Sequence, residues 1–502
     1  MTKQFKIISL KNFVNKKIKS KDIVLAGGAF DLFHLGHLNY LKQASNLGKK
    51  LVVALTIDKF INKGVGRPYF KQSERAELLS HLDLVDFIIF NQETSPIKII
   101  NALKPKYYVK GPDYKNQKND FTQNIIKEKK LVEKYGGVFK TTSGKTFSSS
   151  KILNFETDIL TTEAKKFLSN IDREKIKSKI YKNLNSVRKN KIFLIGENII
   201  DEFTYVKTLG KSQKSNILST SFLRKESHLG GVLMVACHLS SFFEKVNVLL
   251  IGKITKDVKK KIPKNVHIDQ VSCKNFDVVK KNRFIDTYNK NKLYQINYKD
   301  NFNLTDSERN ILKKKILRYS TNNYKIIITD FGHGIFDEKI TNFINKLKII
   351  KYINCQTNSS NFGFNIFDKF SKSHLVCIDE QEFRLFCKNK SLPVDKLLRL
   401  NQKKIKHFKN FVITMGKTGC FFRDINNKIS FSPTLINKVV DTLGSGDAFF
   451  CGMIIADQMK VLNALEKTLL SHIFGGIHSN VLGNEKYITK SDLFYNLNYA
   501  LK

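Results

Sequence analysis

Residues 27–41 read GGAFDLFHLGHLNYL and follow directly on the apolar run IVLA at 23–26. A short apolar strand that ends in Gly27-Gly28 and passes into a helix near His34 is a junction suited to an anion. Glycines let the backbone come close to a phosphate, and a helix start offers N–H groups that have no partner within the helix. His34 and His37 stand three apart on one face of the first helical turn, so both can donate to one phosphoryl group. That arrangement suits attack on an α-phosphate, where charge builds on the oxygens of the transferred group. Either histidine alone reads as an ordinary helix-start residue. The pair fits zinc poorly, because helical zinc sites use i, i+4 spacing and a third ligand.

Working outward, strands and helices alternate. LVVALTID (51–58), DFIIF (86–90) and YYVKG (107–111) are strand signals, with helical stretches between them, including one after Ser73. This pattern predicts βαβ units and a parallel sheet. The stretch 156–190 is rich in Lys, Asn, Ser and Glu and reads as a partly helical linker. From Lys191 the strand signal returns with KIFLIGENIID, VNVLLIG, KIIITDFG, LVCID and FVITMG. The chain is therefore read as α/β in two domains, 1–155 and 191–502, joined by 156–190. Alternating polar and apolar pieces near 203–227 and 283–298 predict small β-elements outside the second sheet.

A second junction stands at 439–456, VVDTLGSGDAFFCGMIIA. The reading is a strand ending at Asp441, a turn at Gly444-Ser445-Gly446, and an apolar helix opened by Asp447. Turn N–H groups and the helix dipole make an anion hole for a transferring γ-phosphate. An alcohol acceptor must lose its proton on attack, and Asp447 stands where a base is needed. Alone, Asp447 would read as a helix N-cap.

The N-terminal pattern G-x-F-D-x-x-H-x-G-H resembles the signature of cytidylyltransferase-like nucleotidyltransferases. Further matches are Arg67-Pro68, Glu74-Arg75, Val109-Lys110-Gly111-Pro112-Asp113-Tyr114 and Phe147-Ser148-Ser149-Ser150-Lys151-Ile152. The resemblance covers about 22–154 and is closest to the adenylyltransferase half of bifunctional heptose kinase/adenylyltransferases. It implies a Rossmann-like domain in which Gly28, Ala29, Phe30, Lys63, Arg75, Ser148, Ser149 and Ser150 contact nucleotide or phosphate and His34 and His37 are catalytic.

The C-terminal junction resembles the D-T-x-G-A-G-D signature of ribokinase-like sugar kinases, with Ser445 in place of Ala, and the likeness extends over about 191–488. It implies a ribokinase-like α/β domain with a small β lid. In it Gly444, Ser445 and Gly446 hold phosphate, Asp447 is the base, and Asp201, Gly230 and Gly231 bind sugar. Asp379 and Glu382 would hold Mg2+ through water, and Thr414-Met415-Gly416 lies near the nucleotide. Met234 replaces an Asn of the family pattern, Asp379 another Asn, and His333 a Lys. The order of the two domains is reversed relative to the bifunctional heptose enzymes.

Composition bounds the alternatives. The 502 residues are 41% hydrophobic and 26% charged, without an apolar run of about 18 residues, so no membrane span is expected. The first twenty residues lack a secretory apolar core. Seven cysteines without C-x-x-C fit a reducing cytosol and a cytoplasmic protein. The net charge of +43, from 87 Lys+Arg against 44 Asp+Glu, attracts phosphate anions. Because the excess is mostly Lys, spread along the chain among Asn and Ile, it reads as compositional drift and not as a dedicated nucleic-acid surface.

Three functions are ranked. The first is a bifunctional enzyme of nucleotide-sugar synthesis, phosphorylating a sugar or sugar phosphate and coupling a sugar 1-phosphate to a nucleotide from ATP or another NTP, with ADP-heptose as the pattern. The second is a nucleotidyltransferase whose kinase-like half senses sugar. The third is a basic nucleic-acid-binding protein. The first implies nucleotide and sugar-phosphate partners, with Mg2+, and is compatible with a homodimer.

Overall fold

The structure, a computed structural model, describes residues 6–61, 68–114, 124–143, 161–212, 214–274, 278–289, 291–298, 303–435 and 439–501. Contacts divide the chain into two compact units, Met1–Ile159 with Phe494–Ala500, and Leu160–Leu493. All seven cysteines are free thiols. Among the described residues no helix is long and apolar enough to cross a membrane.

The first unit is built on five parallel strands, β1 (Ile23–Gly28), β2 (Lys50–Thr56), β3 (Phe87–Asn91), β4 (Tyr107–Lys110) and β5 (Val138–Thr141), in the order β3-β2-β1-β4-β5. Strands buried on both faces read as continuous apolar runs, and these do. Val24, Ala26, Val53 and Ile88 fill one face, while Ile23, Leu25, Val52 and Ile89 fill the other. The chain leaves β1 toward β2 on one side and returns as β4 on the other. A crevice opens at such a reversal, at the carboxyl ends of the strands, and ligands of open α/β sheets bind there. Gly27, Gly28 and Lys110 stand at its edge.

The second unit turns on one strand. β6 (Ile192–Lys211) runs for 20 residues, and its two halves belong to different sheets. Its first half lies in the main sheet with β8 (Val246–Ile251), β9 (Val266–Val271), β12 (Lys325–Asp330), β13 (Lys351–Cys355), β14 (Leu375–Asp379) and β15 (Asn410–Thr414), all parallel. The antiparallel β16 (Gly419–Arg423) and β17 (Ile429–Pro433) complete that sheet. The second half of β6 pairs with β7 (Leu218–Gly230) and with the hairpin of β10 (Val279–Asp286) and β11 (Lys292–Tyr298). These strands form the small lid that the alternating segments predicted.

Two local features differ from the sequence reading. The stretch read as a partly helical linker has the helices Thr162–Ser169 and Arg173–Asn183, capped by Thr161 and Asp172, but packs as part of the second unit. Ala164, Leu168, Ile176, Ile180 and Leu184 are buried. Their spacing of mostly four puts sparse apolar residues on one stripe, which suffices to dock both helices on the second unit. Residues 439–441, read as a strand end, are instead an irregular lead-in. Val440 and Asp441 both donate their N–H to the Ser479 carbonyl, at 2.8 and 3.1 Å.

Gly196 on β6 lets the helix Gly231–Ser240 lie close against the sheet. A Cβ there would sit 2.8 Å from Val232 Cβ and from the Thr329 carbonyl oxygen. Gly196→Ala is expected to destabilise the second unit by about 1–3 kcal/mol, the usual cost of overpacking. Urea unfolding followed by circular dichroism checks this, as a lower midpoint at unchanged slope.

Candidate active sites

In the first unit the helix Leu35–Ser45 begins beyond the end of β1, with His34 as its N-cap. His34 Nδ1 accepts the His37 N–H at 3.4 Å. An imidazole that accepts at Nδ1 carries its proton on Nε2 when neutral, so His34 presents an Nε2–H donor on its far side. The two rings stack with centroids 4.0 Å apart, and His37 also packs against Phe30 and Phe33. The structure thus brings His34 and His37 together at the strand-to-helix junction.

The junction is held in an unusual backbone shape. Phe30 and Leu32 have φ of 51° and 48°, the left-handed region that non-glycine residues seldom enter. Buried Asp31 stabilises it by accepting the N–H groups of Tyr69 and Phe70, at 2.9–3.1 Å. Arg75, assigned to phosphate from sequence, is only 2% exposed. Its guanidinium donates to the carbonyls of Ala29, Thr56 and Phe70 and pairs with Asp58 at 2.6 Å. This places Arg75 beneath the Gly28–Ala29–Phe30 turn, clamping it to β2. Lys63, Ser148, Ser149 and Ser150, with Arg67, lie outside the described residues.

Lys110 was quoted in the sequence motif without a role. It ends β4 at the crevice, with its ammonium 3.6 Å from the buried Glu128 carboxylate and over the rings of Tyr108 and Tyr114. Glu128 also accepts from Ser95 and Tyr108, at 2.7 and 2.8 Å. Tyr40 joins the two strand ends, donating to the Val109 carbonyl at 2.7 Å and accepting the Gly27 N–H at 3.1 Å.

In the second unit the helix Ser445–Gln458 is capped by Gly444 at φ 74°. A Cβ on Gly444 would stand 2.5 Å from Asn484 Oδ1 and 2.6 Å from His478 Nε2. Only glycine combines that backbone with that closeness. Asp447 lies in the first turn, 8% exposed, and accepts from Gln356 Nε2 at 2.7 Å. Burial pushes its carboxyl up to about 7, with Gln356 and Lys281 pulling the other way and Asp201 adding to the rise.

Asp201 stands where β6 passes into the lid. One of its oxygens pairs with Arg283 at 2.5 Å and the other accepts from Asn484 at 2.9 Å. A Cβ on Gly230 would come within 2.6 Å of that second oxygen, and Gly231 needs φ 52°. The Gly-Gly pair is therefore what admits Asp201 at this spot. Lys281 lies opposite Asp201 in the β6–β10 register, on the face that also carries Arg283. Burial pushes the Lys281 ammonium down in pKa, while Asp201 opposes that shift. Lys281, Arg283, Gln356 and Asn484 had no role in the sequence reading. The alternation of cations in KKNR, on a lid strand beside an aspartate strand, was the available signal for the first two.

Met234 and His333 are both buried near this site, in the helix Gly231–Ser240 and after β12. Asp379 and Glu382 cap the helix Glu380–Cys387 reciprocally. Asp379 accepts the Glu382 N–H at 2.8 Å, and Glu382 accepts the N–H groups of Asp379 and Thr357 at 2.9 and 3.0 Å. Burial, then the neighbouring Asp379 charge, pushes the Glu382 carboxyl up to about 8. Two adjacent carboxylates whose bonds to backbone leave further lone pairs fit a cation held through water. No cluster of three or more His, Cys, Asp or Glu side chains able to hold a metal directly occurs among the described residues. Beside the pair opens a cleft of about 930 Å³, whose lining includes Asp379, Arg384, Thr414, Met415 and Gly416.

The cytidylyltransferase-like family matches residues 25–155, and the pfkB family of carbohydrate kinases matches residues 235–457. The bifunctional protein HldE of Campylobacter fetus is 38% identical over 130 residues, 26% of this chain and 28% of that protein. HldE of Geotalea uraniireducens is 40% identical over 124 residues, 24% of each, and that of Helicobacter pylori 41% over 130 residues, 26% of this chain and 28% of that protein. The aligned stretch thus spans about a quarter of these relatives' length. Phosphofructokinase-2 from Escherichia coli, in complex with substrates and products, superposes with a TM-score of 0.51 at 14% identity, covering 62% of this chain and all of that one. A mutant of the same enzyme gives 0.50 at 13% identity with the same coverage, and both likenesses establish fold. The chain joins a cytidylyltransferase-like domain to a ribokinase-like domain of the pfkB carbohydrate-kinase type, in that order.

Proposed function

We propose that this chain is a bifunctional transferase of nucleotide-sugar synthesis, acting in the cytoplasm. Its second domain would phosphorylate a sugar or sugar phosphate with ATP. Its first would transfer a nucleotidyl group from ATP or another NTP to a sugar 1-phosphate, releasing pyrophosphate, with an ADP-heptose-like product. The observation that carries this reading is the presence of two separate helix starts, one at the end of β1 bearing the His34–His37 pair and the other, after the Gly444 turn, bearing a buried Asp447. The likeness to HldE proteins over the first domain supports the choice of pathway.

At the first junction the sugar phosphate is already ionised, so attack on the α-phosphorus needs charge stabilisation more than a base. His34 Nε2–H, His37 and the helix start would donate to the α-phosphate oxygens, with Lys110 adding positive charge from β4. The new P–O bond forms as the bond to the pyrophosphate leaving group breaks. Lys63 and Ser148–Ser150 remain assigned to the triphosphate.

At the second junction Asp447 would take the proton of the acceptor hydroxyl as its oxygen attacks the γ-phosphorus and ADP leaves. N–H groups of the Gly444-Ser445-Gly446 turn and the Lys281 ammonium would meet the growing negative charge. Asp379 and Glu382 are the residues that would hold Mg2+ through water, and when bound the ion neutralises phosphate charge. The cleft beside Thr414–Gly416 has room for a nucleotide. A homodimer, if formed, has exposed apolar residues to use in Leu209, Phe222 and Leu223 of the lid.

The test is a screen of sugars and sugar phosphates with ATP and CTP, following ADP and pyrophosphate separately. Asp447→Asn is expected to lower ADP formation at least a thousandfold and leave pyrophosphate release intact, and His37→Ala the reverse. Pyrophosphate release without ADP formation from any sugar, insensitive to Asp447→Asn and abolished by His34→Ala with His37→Ala, would instead favour a sugar-sensing kinase-like half. Salt-dependent binding to random duplex without either product would favour the nucleic-acid reading.

The buried Asp447 also sets a pH dependence. As a base it must be ionised, so kcat/KM for ADP formation should fall about tenfold per unit below pH of about 7. Lys281→Met removes a cation that favours the ionised form, so it should move this acid limb upward. The pH profile of the pyrophosphate-releasing reaction, which uses no carboxylate base, should be unmoved by Lys281→Met. Parallel pH profiles of the two activities check all three statements.

A further inference from the structure

A carboxylate acting as base uses one of its two oxygens, and for Asp447 the structure shows what occupies the other. Gln356 stands just past the end of β13, and its Nε2 donates to Asp447 Oδ1 at 2.7 Å. The same Nε2 donates to Asn354 Oδ1, also at 2.7 Å. Asn354 is the fourth residue of β13 and is 4% exposed. Its own Nδ2 donates to the carbonyl of Cys377, its register partner on β14, at 3.1 Å.

The direction of these two amides in series is set at both ends. The Cys377 carbonyl needs an N–H from Asn354, which turns the Asn354 oxygen toward Gln356. The Asp447 carboxylate needs an N–H from Gln356. An amide nitrogen carries two hydrogens, and here both are used. Turning Gln356 over would set its oxygen against two others. The backbone of Gln356 is fastened as well, since its N–H donates to the Asp330 carbonyl at 2.7 Å and its carbonyl accepts from Asn365 Nδ2 at 2.9 Å. A carboxylate oxygen that already accepts an N–H is the weaker base of the pair, which leaves Oδ2 to take a proton. The kind of donor matters too. A lysine or arginine in this place would stabilise the ionised carboxylate strongly and weaken it as a base. An uncharged amide orients it at a smaller loss of basicity.

We propose that Gln356 is a positioning residue of the second domain, holding Asp447 Oδ1 so that Oδ2 is the oxygen that meets the acceptor hydroxyl. This rests on the reading of Asp447 as the base. The acceptor proton passes to Oδ2 as the acceptor oxygen bonds the γ-phosphorus and the bond from that phosphorus to ADP breaks. Steady-state kinetics of ADP formation by the full chain test it, with ATP and the best acceptor of the sugar and sugar-phosphate screen, heptose 7-phosphate being tried first. Gln356→Met is expected to lower kcat at least tenfold, with both KM values changed less than threefold. Its acid limb should move to higher pH, because the lost N–H favoured the ionised carboxylate. The other charges acting on Asp447, from Asp201, Lys281 and Glu382, stay in place, and burial keeps the nearby thiols of Cys377 and Cys451 neutral. Gln356→Glu, of the same shape with an acceptor for the donor, should move the limb further, and it carries the test if Gln356→Met lowers the urea midpoint. In the Asp447→Asn background Gln356→Met should cost less than twofold, since no base is left to orient. An unchanged kcat and acid limb, an effect on KM alone, or an equal loss with and without the Asp447 carboxylate would overturn the proposal. A wild-type chain that forms no ADP from any acceptor overturns the kinase reading, and this proposal with it.

Discussion

The Asp201 carboxylate is the point on which the second domain depends. It is buried, so its charge must be met within the protein, and its two partners come from parts of the chain far apart in sequence. Arg283 belongs to a lid strand and Asn484 to the segment after the helix Ala464–Ser479. Asn484 in turn bonds His478 at 3.1 Å, and both press on Gly444, the cap of the Asp447 helix. The lid, β6 and the Gly444 turn are thereby fixed by one desolvated ion pair and its hydrogen bonds. Removing one partner of such a pair leaves a buried charge uncompensated, which costs far more than the pair contributes. Lys292 of the lid adds a second tie, pairing with Asp441 at 2.6 Å.

The same logic of buried charge runs through the site. Glu197 is fully buried, with its carboxyl pushed up to about 8 by burial and then by Asp330, while Asp330 itself pairs with Lys369 at 2.7 Å. Glu197 accepts the N–H groups of Phe331 and His333, and so sets the turn after β12. His333 therefore sits in a turn shaped by backbone bonds to a neighbouring carboxyl. Glu197, Asp330 and Lys369 each hold a backbone segment as well as a charge.

Much of this was legible in the chain. The apolar runs before Gly27 and after Lys191 predicted parallel strands, and glycines at 27–28, 230–231 and 444 marked where backbone must come close. What was not legible came from pairs distant in sequence. Nothing near Arg75 says that its guanidinium turns inward to three carbonyls. Nothing near Asp201 says that Arg283 and Asn484 will occupy its two oxygens. The lead-in to the Gly444 turn was misread as strand because Val439 and Val440 suggest extended pairing, whereas Val440 and Asp441 donate to the Ser479 carbonyl at the end of a helix. The helices at 162–183 were underrated because few of their residues are apolar, although those few align.

His34 does two jobs with one ring. As the N-cap of its helix it must keep a lone pair on Nδ1 for the His37 N–H, and that requirement fixes which nitrogen carries the proton. A second proton would fall on Nδ1 and remove the cap. Acid therefore cannot simply make this histidine a stronger cation at the junction, because the same proton unfastens the first turn that aims it.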